Sequence, residues 1–113
     1  MHEMSIAESI IEIAEEYAAK ENAKVVTELD LSIGTLAGIE FESLEFALET
    51  CKNGTILQNT IINIDKVKAK AKCFDCNLEF EVEHLFDACP HCKSYSTQLL
   101  CGKEMQVKSL LVD

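Results

Sequence analysis

Four cysteines, Cys73, Cys76, Cys89 and Cys92, fall in the pattern C-x2-C-x12-C-x2-C. Two CxxC pairs closing a short loop can aim four thiolates at one tetrahedral ion, most often Zn²⁺. A rubredoxin-like iron site would use similar ligands. A redox dithiol needs one reactive CxxC opening a helix, and two matched pairs do not have that form. The other chemistry-bearing stretch is Met1-His2-Glu3. The Met1 amine and the His2 amide nitrogen can close a five-membered chelate ring. The same amide and the imidazole Nδ1 close a six-membered one. The Glu3 amide or a nearby carboxylate could complete a tetragonal set suited to Ni²⁺ or Cu²⁺. Against this stands the plain alternative that His2 is a surface residue.

The remaining candidates are blander. His91 lies inside the second CxxC and His84 in the loop before it; both read as exposed. Cys51, at a helix end, reads as a small core residue, and Cys101 has no partner at metal spacing. Lys66, Lys68, Lys70 and Lys72 form a stripe that reads as a solvated strand face protecting a sheet edge.

The elements that must position these groups follow from periodicity. Ser5 to about Lys20 carries Ile6, Ile10, Ile13, Ala14 and Tyr17 at helical spacing, with Glu8, Glu12, Glu15 and Glu16 on the rest of the surface. Ser5 with Glu8 suggests a capping box, and Asn22 a stop. Lys24–Ile33 alternates as a half-buried strand with Val25, Thr27, Leu29, Leu31 and Ile33 on one face. After a turn at Gly34–Gly38, Glu42 to about Lys52 reads as a second helix. Thr60–Lys72 reads as one long strand, Leu78–Val82 as part of a short hairpin, and Glu104–Val112 as a closing strand. The expectation is an α/β (α+β) chain: residues 1–68 and 103–113 form one domain, into which a zinc-ribbon-like domain, 69–102, is inserted. A segment of about 34 residues cannot bury enough apolar surface to fold alone, so its metal must stabilise it.

Composition excludes several classes. The 113 residues carry a net charge of -10, and all ten basic residues are Lys. Without Arg and without a positive footprint, nucleic acid is not an expected partner. No apolar run reaches the roughly 18–20 residues of a membrane span. The first residues include Glu3, Glu8 and Glu12 and do not read as a signal peptide. A cytoplasmic location is expected, where paired cysteines are metal ligands before they are disulfides. No Ser-His-Asp set, phosphate loop or open zinc position suggests an enzyme.

Taken together, the opening Met-His-Glu-Met-Ser, the acidic helix, Ile33-Gly34-Thr35-Leu36-Ala37-Gly38-Ile39-Glu40, the helix beginning Glu42-Ser43-Leu44-Glu45-Phe46-Ala47, the two CxxC pairs and the closing Gly102-Lys103-Glu104-Met105-Gln106-Val107 resemble the HypA/HybF family. These are nickel metallochaperones of [NiFe]-hydrogenase maturation. The resemblance spans essentially the whole chain. It implies two helices on a three-stranded sheet plus a zinc domain, with Ni(II) as cargo at Met1, His2 and Glu3. Glu40, the acidic residue after the Gly-containing turn, is implied to lie close to that site. It also implies Zn(II) in a structural role at Cys73, Cys76, Cys89 and Cys92. The implied partners are a HypB-type GTPase and the [NiFe]-hydrogenase large subunit, with urease maturation proteins in some bacteria. One departure is visible: the residue after each CxxC is commonly Gly in that family and is Asn77 and Lys93 here. Two readings of other classes stand beside this one, a zinc-ribbon protein-interaction adaptor and a rubredoxin-like electron carrier.

Overall fold

The computed structural model describes residues 3–113. The elements are α1 (Glu3–Lys20), β1 (Val26–Gly34), α2 (Phe41–Cys51), β2 (Ile61–Val67), β3 (Ala69–Cys73), β4 (Glu79–Val82), β5 (Thr97–Cys101) and β6 (Met105–Val112). They make an α+β arrangement of two helices and two three-stranded sheets, ordered β2-β1-β6 and β4-β3-β5. Two compact units are distinguished. The first comprises residues 1–31, 39–64 and 107–113, and the second 32–38 and 65–106.

In the first unit α1 packs on α2. Its buried stripe is Ala7, Ile10, Ile11, Ala14 and Ala18, whereas Ile13 and Tyr17 are left largely exposed. Three alanines at this spacing make a flat face, which the neighbouring element can approach closely. The bulkier side chains are pushed to the flank. The helix also begins earlier than the capping pattern suggests: it includes Glu3, and Ser5 is an interior residue whose carbonyl accepts from Ser9 Oγ. An acidic side chain in the first turn favours the helix N-terminus electrostatically. The stop is at Asn22, as expected. Asn22 adopts φ 54°. Its N–H donates to Ala19 and the N–H of Ala23 to Ala18, the pair of bonds that closes a helix on a left-handed residue.

Core positions come from the central strand, from α2 and from the turn after it: Val26, Leu29, Leu31, Leu44, Leu48 and Leu57 are all buried. Each such side chain contributes about 1.5–3 kcal/mol on removal from water. At the start of β1 the inward place belongs to Val26, and Thr27 is exposed. Thr60, also buried, donates to the Val26 carbonyl at 2.6 Å, so its hydroxyl is satisfied.

In the second unit β3 is central and antiparallel to both neighbours, with Ala69 opposite Val82 and Ala71 opposite Phe80 and Leu99. Lys70 faces Glu81 and Lys72 faces Glu79 across the ladder. The expected stripe is therefore divided: Lys66 belongs to β2, Lys68 lies between the strands, and Lys70 and Lys72, on a central strand and not at a sheet edge, are matched by carboxylates on the adjacent strand, a favourable cross-strand pairing. The long strand expected over Thr60–Lys72 is in fact two. The break comes at Lys68, where the chain leaves one sheet for the other. Thr35 marks the point: its N–H donates to Val67 O at 2.9 Å, and its Oγ1 accepts from Ala69 N at 3.3 Å. Alternation alone cannot show such a break, because its period continues through both strands.

Gly34 and Gly102 are the glycines this unit requires. A Cβ on Gly34 would lie 2.0 Å from the Gly102 carbonyl oxygen. One on Gly102, at φ 118°, would lie 2.4 Å from Ala69 Cβ. The close approach lets Leu36 N–H reach Gly102 O at 2.7 Å and Gly34 N–H reach Glu104 O at 2.7 Å.

Candidate metal centre

Cys73 ends β3, and the chain turns back on itself at once. Asn77 N–H donates to Cys73 O at 2.9 Å, and Cys73 N–H to Leu78 O at 2.9 Å. The second pair repeats this wiring: Lys93 N–H donates to Cys89 O, and Cys89 N–H to Ser94 O, both at 2.8 Å. Both turns pass through the left-handed region, Asn77 at φ 61° and Lys93 at φ 65°. These are the two positions at which the departure from glycine was noted. Asn accepts that conformation readily; Lys does so at a cost. The knuckles are tied to each other by a short hydrogen bond from Ser94 Oγ to Asp75 Oδ2 and by Phe74 N–H to Ser96 O at 2.9 Å.

The four Sγ atoms lie within 4.8 Å of one another. Cys73 and Cys92 are 3.5 Å apart and Cys76 and Cys89 3.6 Å, and all four are free thiols. Zn–S bonds of about 2.3 Å in a tetrahedron put sulfurs about 3.8 Å apart. The quartet therefore has the dimensions of a zinc tetrathiolate, whereas a disulfide would need about 2.05 Å. Cys73 and Cys89 are fully buried, Cys76 partly, and Cys92 is exposed.

The thiols differ in acidity. Burial pushes the Cys89 thiol up, but the N–H groups of Cys92 and His91 and the Cys76 thiol bring it down to about 7. Cys92 is favoured as thiolate by the Ser94 N–H, but sharing protons with Cys73 and its other neighbours raises it to about 12. Cys76 is raised too: the Leu78 N–H lowers it, but burial and the thiols of Cys89 and Cys73 outweigh that bond. Without a cation the cluster would share its remaining protons. A bound divalent ion would replace them, because thiolate is the ligating form.

Met1 and His2, named in the expected nickel set, lie outside the described residues. Glu3 and Glu40 are described, and they meet. The Glu3 Oε2 accepts from the Glu40 N–H at 3.2 Å. Glu40 is the N-cap residue of α2, and its own side chain makes no capping bond. The Glu3 carboxylate thus serves the helix end instead, joining the first turn of α1 to the first turn of α2. Next to it, Met4 Sδ accepts from Cys51 Sγ at 3.4 Å. Periodicity and spacing gave neither contact; the resemblance alone put Glu40 near Glu3, and nothing put Cys51 near Met4. Glu3 and Glu40 are 37 positions apart, and nothing periodic links them. The Asp75–Ser94 tie was missed as well; a hint lies in the placing of an acceptor inside one knuckle and a hydroxyl just after the other.

Comparison with known proteins decides the family. The model for HypA, described as hydrogenase/urease nickel incorporation, metallochaperone, matches residues 1–112. This chain belongs to the HypA family. It is 45% identical over 112 residues to the hydrogenase maturation factor HypA of Parabacteroides distasonis, covering 99% of this chain and 97% of that one. It is 44% identical over 110 residues to the factor of the same name from Aquifex aeolicus, covering 97% and 96%. Among solved structures, the Ni metallochaperone HypA from Helicobacter pylori is similar with a TM-score of 0.68 at 28% identity, over 99% of this chain and 97% of that one. The HypA family consists of metallochaperones, not enzymes, and its role is nickel incorporation during hydrogenase maturation. A four-cysteine cluster fits metal binding within that role. No helix among the described residues is long and apolar enough to cross a membrane.

Proposed function

We propose that this protein carries Ni(II) as cargo at its N-terminus and delivers it in the cytoplasm to the [NiFe]-hydrogenase large subunit. A HypB-type GTPase acts with it, and urease maturation proteins are a second destination. The observation that carries the reading is the full-length match to a nickel-incorporation family. The Met1 amine, the His2 amide and the His2 imidazole supply three nitrogens in fused chelate rings. Glu3 supplies the fourth donor through its amide, or a nearby carboxylate does so. The 3.2 Å contact between Glu3 Oε2 and Glu40 N supports a role for this pair in fixing the first turn of α1. Glu40 then presents its own carboxylate beside the cargo. A chelate assembled from one short terminal stretch can open one donor at a time, which suits a metal that must be given up.

Zn(II) is assigned a structural role at Cys73, Cys76, Cys89 and Cys92 in the domain that spans residues 69–102. Residues 1–68 and 103–113 form the nickel-binding domain. When bound, zinc would neutralise the four thiolates and tie the two cysteine knuckles together; no reaction is assigned to it.

Delivery is tested by loading the zinc-replete protein with nickel and mixing it with nickel-free hydrogenase large subunit and the GTPase. Nickel should pass to the large subunit from the wild-type protein and not from His2→Ala. Equal transfer from both would overturn the assignment of the cargo site.

A further inference from the structure

The second helix carries an unusual outer stripe. Glu42, Glu45, Phe46 and Glu49 recur at helical spacing on the side opposite the buried Leu44, Ala47 and Leu48. Phe46 is 72% exposed. On each side of it runs an open groove. One, of about 410 Å³, has Met4 and Ala47 in its lining, and the other, of about 450 Å³, has Ile62 and Ile64. The rest of both linings is mostly carboxylate. Glu3 and Glu42 belong to the first groove, and Glu42, Glu45 and Glu49 to the second. No basic residue lines either one. Of these carboxylates Glu49 is engaged by Lys52 at 2.5 Å. Glu42 and Glu45 have no cationic partner among the described residues.

An aromatic ridge between two apolar furrows, rimmed by carboxylates of which Glu42 and Glu45 have no cation beside them among the described residues, has the anatomy of a protein interface core with a charged rim. Helix surfaces meet by fitting the ridge of one into the groove of the other. We infer that the Phe46 face of α2 docks an amphipathic helix of a partner protein, one whose apolar stripe is flanked by Lys or Arg. The apolar stripe would fill the furrows beside Phe46, and the basic flanks would answer Glu42 and Glu45. Charge complementarity selects this occupant. A second copy of this chain would bring a net charge of -10 against the same acidic rim, and like charges across an interface oppose association. Glu3 lines one of the two furrows. If the nickel reading holds, the partner would therefore sit over a residue of the cargo site. The docking itself does not depend on nickel.

The test uses the full-length, zinc-loaded protein and a synthetic amphipathic helix of about 14 residues, four turns long, built from Leu and Lys. Its counterpart is a Leu/Glu helix of the same pattern. The Leu/Lys helix should bind one-to-one and the Leu/Glu helix should not. Phe46→Ala should weaken binding at least tenfold and Glu45→Gln several-fold, whereas Phe86→Ala, which alters an exposed aromatic of the other unit, should leave it unchanged. Because Phe46 is exposed, Phe46→Ala should keep the wild-type circular dichroism. It should also keep the wild-type nickel titration, which separates failure of docking from failure of the nickel reading. Equal binding by wild-type and Phe46→Ala proteins would overturn the inference. So would greater loss in Phe86→Ala, or sedimentation showing a dimer that Phe46→Ala dissociates.

Discussion

At the scale of single residues, the clearest tension is at Lys93. It holds φ 65° in the second cysteine knuckle, a conformation that costs a residue with a Cβ roughly 1–2 kcal/mol and glycine little. Lys93→Gly should therefore raise the stability of the zinc-loaded protein by about 1 kcal/mol, after the greater unfolded-state freedom of glycine is subtracted. Thermal or urea unfolding would show it as a raised midpoint. Asn77→Gly at the matching position should gain less, since Asn tolerates that conformation. A midpoint lowered by Lys93→Gly would mean that the Lys side chain contributes something not visible in its contacts. The fully buried ligands behave in the opposite way. Cys89→Ser should release zinc, measured by elemental analysis, and destabilise the second unit, because three thiolates and a hydroxyl bind the ion far less tightly. Acid should release the metal in the wild-type protein as well. Protons compete with Zn²⁺ for the same sulfurs, so affinity falls as pH falls.

Among the elements, the sheet β2-β1-β6 carries a polar clasp across all three strands. Asp30 in β1 accepts from Asn63 Nδ2 in β2 at 2.8 Å and from Ser109 Oγ in β6 at 2.9 Å. These two bonds, with the charge of Lys108, outweigh desolvation and hold the Asp30 carboxyl below its ordinary value of 3.8. A depressed carboxylate stabilises the fold at pH above its unfolded value. That contribution fades as pH falls through the folded value. Stability measured between pH 5 and roughly 2 should thus fall less steeply in Asp30→Asn than in wild type. The effect should be small, since the group is solvent-facing. Identical slopes would remove the carboxylate from the clasp. Much of this element layer was legible in the sequence and part was not. The helix stop at Asn22 announced itself, because a residue tolerant of positive φ followed the last helical turn. The break at Lys68 did not, because Val67 and Ala69 keep the alternation while serving different sheets. Nor did the choice of Ile11 over Ile13 as a core residue. Both fit a helical stripe, and the alanines at positions 7, 14 and 18 decide between them only once a partner surface exists. The strand β5 left no strong pattern of its own; it is recruited by pairing with β3.

For the whole molecule, spacing made the cysteine quartet readable, since four ligands at fixed intervals constrain each other strongly. Nothing local joins Glu3 to Glu40, and only resemblance linked them. A full-length family match now frames both features within nickel incorporation. In vitro, an amine–amide–imidazole donor set follows the intrinsic order of divalent metals, in which Cu²⁺ outranks Ni²⁺. Equimolar Cu²⁺ should therefore displace Ni²⁺ from the isolated protein, seen as a change in the visible absorption spectrum. Selectivity in the cell would rest on metal supply and partners. The most direct measurement is a calorimetric titration of Ni²⁺ into zinc-loaded protein that starts at Met1, beside His2→Ala. A nickel carrier of the kind proposed predicts saturable one-to-one binding in the wild-type protein, its loss in His2→Ala, and zinc retained by the four cysteines in both. Equal binding by the two proteins, or binding by neither, would contradict it.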